Sequence, residues 1–387
     1  MEEKYIPRFF PKIKESFFLF GPRGTGKSTW IQKNLKNYLM IDLLDADKYR
    51  SLQAKPERLK QEVEAHTNIN LIVIDEVQKL PELLSIVHSL MEKNKSLQFI
   101  LTGSSARKIK RSGVDLLGGR ALKSGMHPFM AGELGPLFHL EESLKYGLIP
   151  MHFFKEASMK ERALNSYIDL YIKEEVQMES MVRNIGNFHR FLEAVSFSHS
   201  SILNISNISR ECQVQRKTVE GYINILYDLL LAYSIPVFSK RAKRILVQHP
   251  KFYFFDTGVY RTLRPKGPLD NPHEIDGAAL EGLVAQHLKA WIDYTPHPCS
   301  LFYWRTKSGS EVDFVIYSQK YFKAIEVKNS DKIRNEDLRS LKTFYKDYPE
   351  STPIFLYRGK ERLLIDNILC IPCQEFFLSL IPGTDIL

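Results

Sequence analysis

Cysteine, tryptophan and long apolar runs are all scarce in this chain. Four cysteines among 387 residues cannot make a disulfide framework, which points to a reducing compartment. Cys370 and Cys373 form a single CxxC, and no second pair completes a metal site, so ordinary packing is expected for them. The most apolar stretch, Tyr222–Phe238, is broken by Asn224 and Asp228 and is too short to span a bilayer comfortably. The opening MEEKYIPRFF carries acids and no apolar run, unlike a secretory signal. Tandem repeats and low-complexity tracts are missing too. These absences lead to the expectation of a cytoplasmic globular protein with no membrane partner.

The chain is 44% hydrophobic and 26% charged, a mixture that buries a core. Its length exceeds one typical core and suggests two or three domains. A net charge of +9 and a pI near 9.1 suit an acidic polymer as partner, and a merely basic surface equally well.

Three segments follow one another, at 1–136, 137–264 and 273–387. The first alternates short apolar runs with helical stretches, which predicts an α/β fold with a parallel sheet between helices. Its strands are expected at Phe17–Phe20, Leu39–Leu43, Leu71–Ile74, Phe99–Thr102 and near Ala121–Gly125. The middle is mainly helical and ends in a hairpin. Polar, turn-rich residues at Arg264–Pro272 separate it from the third segment. There a helix over Ala279–Ile292, strands at Leu301–Trp304, Val312–Ile316 and Phe322–Val327, a helix over Asn335–Tyr345 and a strand at Ile354–Tyr357 give the order αβββαβ.

The strongest chemical signal is GPRGTGKST, comprising Gly21, Pro22, Arg23, Gly24, Thr25, Gly26, Lys27, Ser28 and Thr29. It matches the P-loop pattern G-x-x-x-x-G-K-S/T, with an apolar strand before it and a helix after it. Its glycines let backbone N–H groups and a helix N-terminus face phosphate oxygens. Lys27 adds charge at the β- and γ-phosphates of ATP, and Ser28 offers a hydroxyl to Mg2+. In LIVIDE, Asp75 and Glu76 emerge at the carboxyl end of a buried strand, where ligands bind such sheets. Asp75 can hold Mg2+, and Glu76 can polarise the attacking water. Thr102 or Ser104, at the end of the next strand, could touch the γ-phosphate or that water. Arg107, Arg111 and Arg120 lie beyond. Arg120 could reach the γ-phosphate of a neighbouring subunit in a homo-oligomer, or form a surface salt bridge.

In the middle segment, Ile205–Cys212 and Arg216–Leu230 read as two helices around a turn at Gln213–Gln215. Arg216, Lys217 and Thr218 open the second, where a recognition helix meets bases and phosphates. Ser234–Phe238 and Phe252–Phe255 could pair as a wing, with Lys240, Arg241, Lys243, Arg244 and Lys251 accumulating between them. DNA is the expected partner. Asp256 is expected to cap the turn that follows.

In the third segment Asp313 lies on one strand and Glu326 and Lys328 on the next, the latter two on one face. Asp313 and Glu326, with Glu281 from the preceding helix, could hold a second Mg2+ or Mn2+ beside a lysine that orients water. This D…E-x-K spacing resembles the PD-D/E-x-K nucleases, although Val312 replaces their usual proline. A nuclease-like fold kept for binding alone is the alternative.

The series GPRGTGKST, LIVIDEVQKL, FILTGSS and LLGGRA, with KFYFFDTGV and WRTKSGSEVDFVI further on, resembles prokaryotic AAA-type ATPases with a C-terminal DUF4143 domain. Arg23 and the run Asp75–Gln78 are characteristic of that group. The resemblance implies an AAA-type P-loop domain, a winged-helix-like middle and a restriction-endonuclease-like end. It implies no settled biological role.

Overall fold

In a computed structural model of the chain, residues 5–105, 117–172, 176, 182 and 184–386 are described. The chain divides into two compact units. One comprises Phe10–His127 with Asp228–Leu231, and the other holds Met1–Phe9, Pro128–Tyr227 and Ala232–Leu387.

The first unit is built on five strands: β1 (Phe17–Phe20), β2 (Tyr38–Asp42), β3 (Leu71–Asp75), β4 (Gln98–Gly103) and β5 (Leu122–Gly125). They pair in the order β2-β3-β4-β1-β5, and every pairing is parallel. The central strands β1, β3 and β4 are short and mostly buried and apolar, because helices cover the sheet and leave no polar face to alternate. Phe18, Phe20, Ile72, Ile74, Phe99 and Leu101 pack in one cluster with Leu83, Leu84, Val87 and Leu90 of the helix Leu83–Lys93. Each such side chain contributes roughly 1.5–3 kcal/mol on burial, so this cluster fixes the positions of the strand ends. The strands stand where the apolar runs put them, to within a residue or two.

The second unit contains two sheets. A three-stranded sheet has the order β6-β8-β7, formed by β6 (Ser201–Ile202), β7 (Ala232–Ile235) and β8 (Lys251–Phe254). Its pairings are antiparallel. The helices Ile205–Cys212 and Arg216–Asp228 precede β7. Asn204 caps the first through its side chain, and Gln213 ends it in the left-handed conformation. The residues after β7 do not continue along β8. Phe238 N–H donates to Tyr303 O at 2.7 Å, and Tyr303 N–H donates to Pro236 O at 3.0 Å. On the return, Val247 N–H donates to Arg305 O at 3.0 Å. The expected pairing of the two runs is present, with Ser234 opposite Phe252, but the residues between them are drawn onto the edge of a second sheet, covering backbone groups that would otherwise be exposed.

That sheet has six strands in the order β13-β14-β12-β11-β10-β9. They are β9 (Ser300–Arg305), β10 (Glu311–Tyr317), β11 (Phe322–Val327), β12 (Thr352–Tyr357), β13 (Leu363–Ile365) and β14 (Ile368–Pro372). β9, β10 and β11 pair antiparallel, and β11, β12 and β14 pair parallel. The αβββαβ order is present, with the helices at Pro272–Tyr294 and Arg339–Asp347, and a hairpin and a final helix extend it. Phe238 inserts into its core beside Trp304, Leu341, Phe344 and Phe355, which joins the middle segment to this sheet in one body. Cys370 and Cys373 are both buried. Asp256 accepts from Gly258 N–H at 2.8 Å and Leu148 N–H at 2.8 Å, capping its helix, and burial pushes its carboxyl up to about 6. No helix among the described residues is long and apolar enough to cross a membrane.

Candidate functional site

β1 is fully buried and delivers the chain directly into the phosphate-loop motif. Gly24 and Gly26 take φ of 82° and 92°, a region that glycine enters without the cost a side chain imposes. The helix Lys27–Asn34 begins with no side chain capping its first N–H groups. Those donors and the positive end of the helix dipole thus face the loop. Lys27 is buried, and its Nζ donates to Gly21 O at 2.7 Å and to Pro22 O at 3.3 Å. The ammonium is held across the turn it belongs to.

β4 lies between β1 and β3, so the carboxyl ends of three neighbouring strands meet at one edge. Gly21 N–H donates to Gly103 O at 3.2 Å, fastening the start of the loop to β4. Ser28 Oγ donates to Asp75 Oδ2 at 3.4 Å, bringing together the hydroxyl and carboxylate expected to share a cation. Thr102 Oγ1 donates to the other oxygen, Oδ1. Asp75 is 5% exposed. Burial pushes its carboxyl up, nearby Glu76 adds to this, and Lys27 opposes it. A buried acid in this state gains from a cation at its oxygens. Ser28, Asp75 and the loop donors thus fit a triphosphate with a hard dication, which takes oxygen ligands of this kind.

Glu76 leaves β3 with φ 57° and ψ 45°, an unusual conformation for a residue with a side chain. Its N–H donates to Thr102 Oγ1 at 3.1 Å. Its Oε2 accepts from Ser104 Oγ at 3.2 Å and from Gln78 Nε2. Gln78 Nε2 also lies 3.0 Å from Ser104 Oγ. Thr102 thus contacts Asp75 and the Glu76 backbone, and Ser104 contacts the Glu76 carboxylate. Gln78 is the residue that strand reasoning did not assign, although it stands in the Asp75–Gln78 run. Gly103 lies behind this group, and a Cβ there would fall 2.7 Å from Gln78 Oε1.

Arg23 and Thr29 lie at the surface of the loop and helix. Arg120 Nε pairs with Glu92 Oε1 at 2.7 Å, and both side chains are more than 40% exposed. Arg107 and Arg111 fall outside the described residues.

The third segment assembles its predicted residues differently from expectation. Glu281, Asp313 and Glu326 do lie near one another, but Lys251 is among them. This lysine is not part of an exposed basic tip: its side chain is 2% exposed. Its Nζ lies 2.9 Å from Glu281 Oε1 and 3.2 Å from Asp313 Oδ1, and it also pairs with Glu311. Lys328 Nζ lies 3.0 Å from Glu326 Oε1. Among the described residues no group of three or more His, Cys, Asp or Glu is arranged to hold a metal ion. The basic run is reduced further, because Arg244 pairs with Asp347 at 2.5 Å and Lys240 sits 4.2 Å over the Tyr317 ring.

An open groove of about 570 Å³ lies elsewhere on this unit, lined by Arg216, His249, Arg305 and Lys307 among others, with no carboxylate in its lining. Asn204 and Ser206, at the start of the helix Ile205–Cys212, form part of its wall.

Residues 14–135 match the profile of the AAA domain, residues 138–270 that of a domain of unknown function (DUF8612), and residues 276–376 that of another (DUF4143). An uncharacterised protein of Mycobacterium tuberculosis is 22% identical over 315 residues, spanning 80% of this chain and 70% of its own. One of Haemophilus influenzae is 20% identical over 240 residues, spanning 58% of this chain and 60% of its own. Among solved structures, the replication initiator DnaA bound to AMPPCP and single-stranded DNA aligns at 14% identity, with a TM-score of 0.27. That alignment covers 56% of this chain and 83% of DnaA.

Proposed function

For a chain that joins an AAA domain to a C-terminal DUF4143 domain, we propose ATP binding and hydrolysis at the edge where β1, β3 and β4 end. The observation that carries this reading is the Ser28–Asp75 contact at 3.4 Å. It joins the P-loop helix to the acidic strand, while Glu76 is held separately by Gln78 and Ser104. Bound magnesium–ATP supplies the anhydride to be broken and the dication that offsets charge on its phosphates. The chain does the rest. Loop N–H groups and Lys27 grip the phosphates, and Ser28 and Asp75 hold the metal. Glu76 orients water for in-line attack and draws on its proton, a task that positioning and electrostatics dominate. The chain acts as a cytoplasmic protein in this reading.

DNA is the second partner in this proposal. The helix pair with its antiparallel sheet supports a winged-helix-like reading, and the groove beside Arg216 has no acid in its lining, although Arg305 reaches out to Glu311 at 3.2 Å. Phosphate contacts of this kind give sequence-tolerant, salt-dependent affinity. Reversing Arg216 and Lys307 to glutamate should weaken binding to all DNA sequences alike and flatten its salt dependence. Fluorescence anisotropy against salt concentration measures both quantities, and an unchanged slope would move the DNA to another surface. ATP turnover with and without single-stranded, duplex and forked DNA tests the coupling, which a DNA-independent switch lacks.

Arg120 is proposed to act across a subunit boundary, where it must exchange Glu92 for a neighbour's γ-phosphate. Arg120→Ala should then slow turnover by on the order of a thousandfold while sparing affinity. Mixing it with Glu76→Gln subunits should restore part of the rate. A wild-type rate in Arg120→Ala would leave Arg120 as an exposed surface pair with Glu92.

A second reading of the C-terminal domain has its own support. The D…E-x-K residues are consistent with a nuclease-like fold, but the position of Lys251 favours a domain that binds without cutting.

A further inference from the structure

Lys251 opens β8, a strand buried along its whole length, and reaches out of its own sheet into the acids of the next. Glu281 Oε1, already 2.9 Å from the ammonium, accepts a second bond from Tyr253 OH at 2.6 Å. Asp313 is used on both sides. Oδ1 faces Lys251 at 3.2 Å, and Oδ2 accepts from Val327 N–H at 2.9 Å. Glu311 divides its oxygens between Lys251 and Arg305, the latter at 3.2 Å. The ring of Tyr303 lies 5.5 Å from the ammonium and adds its π face. Burial works against the charged form of Lys251, but Glu281, Asp313 and Glu311 outweigh it and hold the group protonated.

We infer that Lys251 is the resident cation of this cluster, and that the residues present do not fit a divalent-metal centre. A dication would need the oxygens of Glu281 and Asp313 that now face the ammonium, and it would meet like charge at contact distance. It would also have to surrender water, which Mg2+ does reluctantly. The ammonium already sits against Glu281, Asp313 and Glu311 and offsets part of their charge without an ion from solution. The cluster fastens β8 to β10 and to the helix Pro272–Tyr294, so its acids act as a joint between two sheets. This inference deepens the reading of the C-terminal domain as a non-cutting binding domain and is independent of the ATP site.

The test uses the full-length protein without nucleotide or DNA. Uptake of Mn2+ is followed by electron paramagnetic resonance, and melting temperature is recorded with and without the ion. Wild type and Asp313→Asn should show the same Mn2+ uptake, and Asp313→Asn should melt lower whether or not Mn2+ is present. Lys251→Met should gain about one equivalent of Mn2+, which the double variant Lys251→Met/Asp313→Asn loses again. Wild-type Mn2+ uptake that Asp313→Asn abolishes would overturn the inference, as would Lys251→Met folding without gaining the ion. Should Lys251→Met fail to fold, the comparison of wild type with Asp313→Asn decides alone.

Discussion

Lys27→Ala is expected to abolish ATP binding at ordinary concentrations. The lysine is the cation the loop holds in place, by Gly21 O at 2.7 Å and Pro22 O at 3.3 Å, and it is buried against the turn that would receive the phosphates. A hydrogen bond to a charged group is worth roughly 1.5–3 kcal/mol. Losing contacts to two phosphates therefore costs about 3 kcal/mol or more, which is at least ~100-fold in the dissociation constant. Isothermal titration measures this directly. Ligand stabilisation gives an independent check, since ATP at ~100 times its dissociation constant raises wild-type stability by about 2.7 kcal/mol. The variant should lose that increment while melting close to nucleotide-free wild type. Unchanged affinity would remove the assignment of this loop as the nucleotide site.

Glu76→Gln should separate binding from turnover. The substitution keeps the shape of the side chain, and a glutamine carbonyl can still accept from Gln78 Nε2 and from Ser104 Oγ, now 3.2 Å from the carboxylate. What it loses is the negative charge that draws a proton from water. Removing a group in that role lowers rates by about 10²–10⁴-fold, while the phosphate contacts made by the loop remain. The expected variant binds ATP with wild-type affinity and releases phosphate at least ~100 times more slowly. A coupled phosphate-release assay beside titration reads both values. Hydrolysis at the wild-type rate would mean that another group orients the water.

Legibility from sequence followed the range of the interactions concerned. β1 and its loop were readable because four apolar residues, a glycine-rich turn and a helix are local features whose geometry their own composition dictates. Asp75 and Glu76 were readable for the same reason, ending an apolar strand. The contacts that Thr102 and Ser104 make with them were not, because these depend on the register of β3 against β4. The burial of Lys251 is hidden in the sequence for a related reason. The lysine follows a basic stretch and resembles it in composition, yet it is the first residue of a strand buried on both faces, and its acids come from Glu281 and Asp313 far along the chain. Arg244 looked free until Asp347 arrived from the helix Arg339–Asp347. The hairpin of β13 and β14 leaves no signal in the sequence, because Leu363 and Leu364 are exposed and follow the charged run GKER, so no buried alternation marks them.

Gly103 gives the hydrolytic side of the edge a tolerance set by an atom that is not there. Its carbonyl accepts from Gly21 N–H at 3.2 Å, and a Cβ would fall 2.7 Å from Gln78 Oε1. The residue works like a shim of zero thickness between the P-loop strand and the group that steadies Glu76. Alanine at this position would thicken the shim, tilting Gln78 and with it the carboxylate, without contacting the loop donors or Lys27. Gly103→Ala is accordingly expected to lower turnover while leaving ATP affinity near wild type. On the proposed reading the rate of this site would depend on sheet clearance, and changes in the core beneath Phe20, 3.3 Å from the same Cβ position, would retune it from below.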